Sequence, residues 1–281
     1  MLADAALQAL LEDDESSWTW LNDPNRKKIF LLGTEAPDNS KVKVTLDGKE
    51  VEGFGDTTKH HIYFNQDGTI SNNEDDSALR AKSCGDLADS YIEDNKLDLA
   101  AFYLGAMTHY IADMSIYAHV AENNVDPYYT DFDEHHSEVE AYVLSRTNNY
   151  QDMEEFFKID DNIKIDSDLK PYDAAKNLAW NTFKDPNPSE SITRDAKWLN
   201  DNFFTDWADK YEDRDDESAT RQLYYDRIEE NLNNAIEAIA SAMAYVGGIK
   251  NATPSYSISI VLIISGLSIL SLILIVYKKR V

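Results

Sequence analysis

The chain carries six histidines, at positions 60, 61, 109, 119, 135 and 136, all in its first half. Two of them head the same pattern: His109 precedes Asp113 by four residues, and His136 precedes Glu140 by four. On an α-helix that spacing puts imidazole and carboxylate on one face, one turn apart, where both can grip a single cation. His119 lies between the two pairs. A buried His and Asp can also satisfy one another as an internal ion pair without any metal. Recurrence of the pair, with a third histidine between, favours a metal reading, and nitrogen with carboxylate oxygen is a donor set that zinc accepts.

The elements that must position these residues follow from the surrounding pattern. Residues 100–120, AAFYLGAMTHYIADMSIYAHV, are apolar on several faces, which predicts a buried helix over Leu97 to about Tyr117, preceded by another over Ser77 to Lys96. HHSEVEAYV predicts a further helix carrying His136 and Glu140. His60 and His61 fall in GDTTKHHIYFNQDG, a loop or short strand. Adjacent residues of an extended chain point in opposite directions, so at most one of the two faces a given site. Asp38 sits in Pro37-Asp38-Asn39, which reads as a turn. KVKVTLDGKEVE alternates about Asp47-Gly48 and predicts a small exposed β-hairpin.

Helical patterns over residues 1–12, 172–183, 192–211 and 217–245 complete the soluble part, and the last three contain no histidine. Their aromatic residues, among them Trp180, Trp198 and Trp207, read as bundle packing. Cys84, the single cysteine, excludes an intrachain disulfide and reads as a small buried apolar residue. The class is therefore all-α with a small β-hairpin insertion, in one domain over residues 1–247.

The tail differs in kind. After a linker at 248–257, residues Ile258 to Val276 form 19 positions without a charge, bordered by Tyr256 and Tyr277 and stopped by Lys278, Lys279 and Arg280. This predicts a transmembrane helix over 258–277, with the basic tail 278–281 cytoplasmic and the preceding domain outside. The formal charge of −26, with no Lys/Arg cluster forming a basic groove, argues against a nucleic-acid partner.

With these blocks in view, the chain resembles the zinc-dependent phospholipase C family of secreted bacterial phosphatidylcholine-hydrolysing enzymes and clostridial α-toxin-like proteins. FYLGAMTHYIADMSIYAHV is similar to that family's helix with His, Asp and His at offsets of four and ten; HHSEVEAYV, LLGTEAPD and HIYFNQDG are similar to three further family blocks, in the same order. The resemblance implies one zinc on Asp38, His61, His109 and Asp113, with His61 preferred over His60 on family spacing. It implies a second on His119, His136, Glu140 and water, and assigns Asp38 an added role in accepting a proton from water. A third zinc of the family uses an N-terminal tryptophan, a nearby histidine and the counterpart of Asp113. Both N-terminal ligands would lie upstream of Met1, so the expectation is a longer precursor that carries a signal peptide before them.

The implied reaction is hydrolysis of a glycerophospholipid to diacylglycerol and a phosphorylated headgroup by a zinc-activated water. Asn39 and Thr58 stand where the family places its choline-caging residues; neither is aromatic, so a cation-π choline cage is not expected. Two other functions fit parts of the pattern: a single-strand nuclease of similar zinc chemistry, disfavoured by the acidic surface, and a non-catalytic zinc-stabilised surface domain.

Overall fold

In the computed structural model, residues 2–65, 67–71, 74–121, 139, 158–186, 193–201 and 219–247 are described. Helix α1 spans Leu2–Trp18, α2 Pro24–Glu35, α3 Asp76–Glu93, α4 Leu97–Asp113, α5 Pro171–Lys184, α6 Ala196–Asp201 and α7 Ala219–Gly247. One antiparallel hairpin, β1 (Lys43–Leu46) and β2 (Lys49–Glu52), separates α2 from α3. Short 3-10 turns lie at Thr57–Lys59 and Tyr117–His119. The all-α class with a hairpin insertion therefore holds for the described residues. None of the helices among them is long and apolar enough to cross a membrane. Residues 258–277, read as a transmembrane helix, lie outside the described residues, as do His135, His136 and Glu140.

Local chemistry sets several of the ends. Asp23 caps α2 by accepting from the backbone N–H groups of Asn25 and Arg26, and Pro24 supplies the first helical position. Helix α1 breaks at Asp14 (φ −146°, ψ 84°), whose carboxylate accepts from Ser16 and Ser17 and restarts the helix. At the hairpin turn, Asp47 and Gly48 both take positive φ (48° and 78°), the primed turn that matches strand twist.

The hairpin is less exposed than its alternation predicts. Leu46 and Val51 are buried with Ala36, Val42, Leu99 and Phe102, and Asp47 Oδ2 accepts from the Leu99 backbone N–H at 3.0 Å. An N–H at the start of α4, which its own N-cap Lys96 leaves without a side-chain cap, is thus satisfied from the hairpin tip. The ribbon holds the start of the helix that carries the histidine–carboxylate pair.

Helix α4 is the centre. It packs most closely on α2 and α3 and also touches α1, α5 and α7. Phe102, Leu104, Met107 and Ile111 are fully buried along it, each worth about 1.5–3 kcal/mol of apolar burial. Two glycines make the α2–α4 crossing close: a Cβ on Gly33 would stand 2.1 Å from the Phe102 carbonyl oxygen, and one on Gly105 would stand 2.0 Å from that of Phe30. Backbone approaches of this kind require hydrogen in place of a side chain. Cys84 is buried, and burial pushes its thiol up to about 12, which makes it inert at neutral pH.

A second polar cluster locks the scaffold half. Arg227 is fully buried on α7 and donates to the carbonyl oxygens of Arg194 (3.1 Å) and Asn181 (2.5 Å). It also pairs with Glu230 at 3.0 Å and Asp185 at 3.7 Å. Arg227→Ala would leave Asp185 buried beside one fewer cation. The expected cost is about 3–5 kcal/mol, read as a drop in the urea midpoint with unchanged slope.

Candidate metal centre

Four side chains from three parts of the chain converge at the C-terminal end of α4. Asp38 comes from the loop after α2, His60 from the end of the 3-10 turn, and His109 and Asp113 from α4 itself. His60 Nδ1 lies 3.2 Å from His109 Nε2, 3.5 Å from Asp38 Oδ1 and 2.8 Å from Asp113 Oδ2. His109 Nε2 lies 3.6 Å from Asp38 Oδ2 and 3.3 Å from Asp113 Oδ2. Asp113 Oδ2 closes a triangle with the two imidazole nitrogens, and Asp38 meets the same two nitrogens with one oxygen each. Neighbouring ligands on a tetrahedral zinc with bonds of about 2.1 Å would lie about 3.4 Å apart. Asp38, His60 and His109 each offer an atom within 4.8 Å of the other two.

The His109 imidazole is oriented by α2. Its Nδ1–H donates to the Thr34 carbonyl oxygen at 2.8 Å, so Nε2 is the nitrogen turned to the cluster. Thr34 follows Gly33 directly, so the glycine crossing that brings α2 against α4 also delivers this carbonyl. Fixed nitrogen donors and the Asp38 carboxylate, at spacings near those of four-coordinate zinc, make the Asp38, His60 and His109 set fit the metal, with Asp113 within 3.3 Å of both imidazoles.

The structure brings His60 beside Asp38, His109 and Asp113, where the resemblance implied His61. The reason is the period of two in an extended chain. His60, Ile62 and Phe64 share one face and are 4 %, 0 % and 4 % exposed. The segment is pinned beside the 3-10 turn at 117–119 by hydrogen bonds from Ile62 N to the His119 carbonyl (3.1 Å) and from Phe64 N to the Val120 carbonyl (3.2 Å). His61 and Tyr63 take the other face, with rings stacked at 4.9 Å. The apolar alternation of Ile62 and Phe64 was the signal that identifies His60 as the inward member.

His119 is buried, and its ring lies 5.0 Å from that of His61. Of the second set expected from sequence, His119 alone is described, since His136 and Glu140 lie outside the described residues. Asp56, which the sequence reading passed over, stands behind His60, with Oδ1 at 3.9 Å from Nε2. It lies four residues before His60 across a 3-10 turn, not along an α-helix, so no helix-face pattern in the sequence marks it.

Charge at the cluster is strongly coupled. Burial opposes a charged His109, but the Asp113 carboxylate one turn away, with Asp38, outweighs it and holds the imidazole at about 9 in the metal-free protein. Burial likewise opposes ionised Asp113, yet His109, His60 and His119 hold it well below the usual carboxylate range. A group raised from 6.5 to about 9 contributes stability that is complete below pH 6.5 and lost as pH rises to 9. The Asp113 contribution is present above the ordinary carboxylate range and lost as pH falls through its depressed value. The metal-free protein is therefore expected to be most stable between about pH 4 and 6.5 and to lose up to about 3 kcal/mol by pH 9. Urea denaturation across that range checks it, and zinc uptake near pH 7.5 should release about one proton from His109, measurable by calorimetry in two buffers.

No curated protein matches this sequence. The sequence model of the zinc dependent phospholipase C family matches residues 1–246, a span that contains the whole cluster and every helix that positions it. The resemblance carried by the α4 block thus extends through the scaffold helices, and the chain belongs to the zinc-dependent phospholipase C family.

Proposed function

We propose that this chain hydrolyses glycerophospholipids on the glycerol side of the phosphate, releasing diacylglycerol and a phosphorylated headgroup. The observation that supports this is the Asp38–His60–His109–Asp113 cluster, at ligand spacing, within a chain of the zinc phospholipase C family. Zinc held by these four residues would supply the Lewis acidity that offsets a phosphodiester's charge and acidifies water. A second ion would be held by His119 with His136 and Glu140.

The chain's own groups have distinct tasks. His109 is locked by Thr34 so that no rotation is needed before ligation. Asp113, deep in the site and ionised, is the fixed counter-charge. Asp38, with a side chain 57 % exposed against 17 % for Asp113, is the carboxylate of the cluster more open to solvent. It accepts a proton as the water oxygen bonds to phosphorus. The phosphorus–oxygen bond to glycerol then breaks, and the departing oxygen takes a proton from solvent. Asp38→Asn is expected to lower kcat by about a hundredfold to ten-thousandfold, with less change in apparent affinity for lipid, measured on vesicles.

Membership of a zinc-dependent phospholipase C family supports a lipid substrate, and the uncharged segment 258–277 would hold the site at a membrane, with residues 278–281 on the cytoplasmic side. The test is zinc-reconstituted full chain on vesicles of single headgroup composition, with diacylglycerol and phosphorylated headgroup measured together. Matched release of the two products supports the reading. Turnover of single-stranded oligonucleotides without lipid turnover would replace it with a nuclease, and bound zinc with neither activity would leave a zinc-stabilised surface domain.

A further inference from the structure

The two histidines of the cluster present opposite nitrogens to it, and each has an acceptor behind. His109 turns Nε2 inward and gives Nδ1–H to the Thr34 carbonyl. His60 turns Nδ1 inward, and its Nε2 is fully buried with no hydrogen-bond partner among the described residues. The carboxylate of Asp56 faces that nitrogen, with Oδ1 at 3.9 Å.

Asp56 is itself held from two helices. Tyr110 on α4 donates its hydroxyl to Oδ1 at 2.7 Å, and the Arg80 guanidinium on α3 pairs with Oδ2. Its backbone N–H donates to the Pro37 carbonyl at 3.0 Å, one residue before Asp38. Its own carbonyl accepts from Lys59 N at 2.7 Å, which closes the turn that delivers His60. The Tyr110 ring also stands edge-on to the His60 ring at 5.2 Å. In the metal-free protein Asp113 Oδ2, 2.8 Å from Nδ1, draws a proton to that nitrogen; with Nδ1 serving as a ligand the proton belongs on Nε2, and a carboxylate that has room for more than two donors favours it there even beyond hydrogen-bond length.

We infer that Asp56 is the positioning residue of His60: its carboxylate keeps the imidazole protonated at Nε2, so that the Nδ1 lone pair is turned to the metal. Arg80 and Tyr110 hold that carboxylate in place from α3 and α4. The inference rests on the zinc reading of the cluster.

The experiment uses the full chain, labelled with nitrogen-15 at histidine and loaded with zinc, and reads long-range proton–nitrogen correlations together with zinc affinity by chelator competition. The wild-type protein should show His60 protonated at Nε2 with Nδ1 bound. Asp56→Asn should weaken zinc binding about ten- to a hundredfold and mix the His60 tautomers. Tyr110→Phe, which keeps the carboxylate, should retain the tautomer. Wild-type protein with His60 protonated at Nδ1 overturns the inference whether or not the Asp56 variant folds. So does an Asp56→Asn protein that loses thermal stability but binds zinc within about twofold of wild type. Wild-type protein that takes up no zinc overturns the functional reading itself, and the inference with it.

Discussion

Replacing His60 by alanine is expected to empty the cluster of zinc and to reduce phospholipid hydrolysis by at least about a thousandfold, equivalent to roughly 4 kcal/mol of transition-state stabilisation. The loss follows from position. His60 Nδ1 lies within 3.5 Å of an atom on each of Asp38, His109 and Asp113, so its removal leaves three donors from two parts of the chain. The depressed Asp113 carboxylate would also lose one of the groups that hold it down, with no gain in its ability to hold the ion. His61→Ala is the paired control. Its ring lies on the opposite face of the segment, against Tyr63 and near His119, and the variant is expected to keep zinc at the Asp38–His60–His109–Asp113 cluster. Elemental analysis of the two purified variants decides the matter. Zinc retained in His60→Ala but lost from this cluster in His61→Ala would return the role to His61.

The second large effect is expected far from any ligand atom. Gly105→Ala places a methyl group 2.0 Å from the Phe30 carbonyl oxygen and close to Gly33 Cα, and neither neighbour is a side chain that can swing away. The helices must separate by more than an ångström or the crossing must rotate. Overpacking of this severity is expected to cost about 3 kcal/mol, a fall in melting temperature on the order of 10 °C for a domain of this size. A surviving fold would carry α2 and the Thr34 carbonyl away from His109 Nδ1. Zinc affinity should therefore fall along with stability. A Gly105→Ala protein with wild-type melting temperature and zinc affinity would show that the α2–α4 approach is dispensable.

Other expectations bear on the same architecture. The Arg227 substitution tests the scaffold half without touching the metal centre, since its partners Asp185, Arg194 and Glu230 all belong to the α5, α6 and α7 region. The pH profile of the metal-free protein tests the cluster without any substrate. The two should be independent: the Arg227 change should shift stability equally from about pH 7 to 9, the range over which the loss caused by His109 deprotonation develops.

The sequence by itself determined the elements whose signal is local. The apolar faces of residues 97–117 sufficed for the existence of α4, because a segment apolar all round has no stable place except the interior, although the helix ends at Asp113 and residues 117–119 form a separate 3-10 turn. The offset of four between His109 and Asp113 sufficed to put them on one face, because helix geometry fixes that relation whatever the rest of the chain does. Asp47-Gly48 sufficed for the hairpin, because few other residues tolerate two successive positive φ angles. What the ribbon does was not local: its burial against α2, and the cap that Asp47 gives Leu99 across 52 positions, depend on where the chain returns. The same division separates the two adjacent histidines. Alternation states that His60 and His61 face opposite ways, but the direction that counts as inward is defined only once Ile62 and Phe64 dock beside residues 119–120. Asp56, Arg80 and Tyr110 meet for a comparable reason, since they come from a loop and two helices whose approach is set by packing. Ligand types and their spacing along a helix are properties of the chain, whereas which face of a loop meets that helix, and what stands behind it, are decided by close contact between segments distant in sequence.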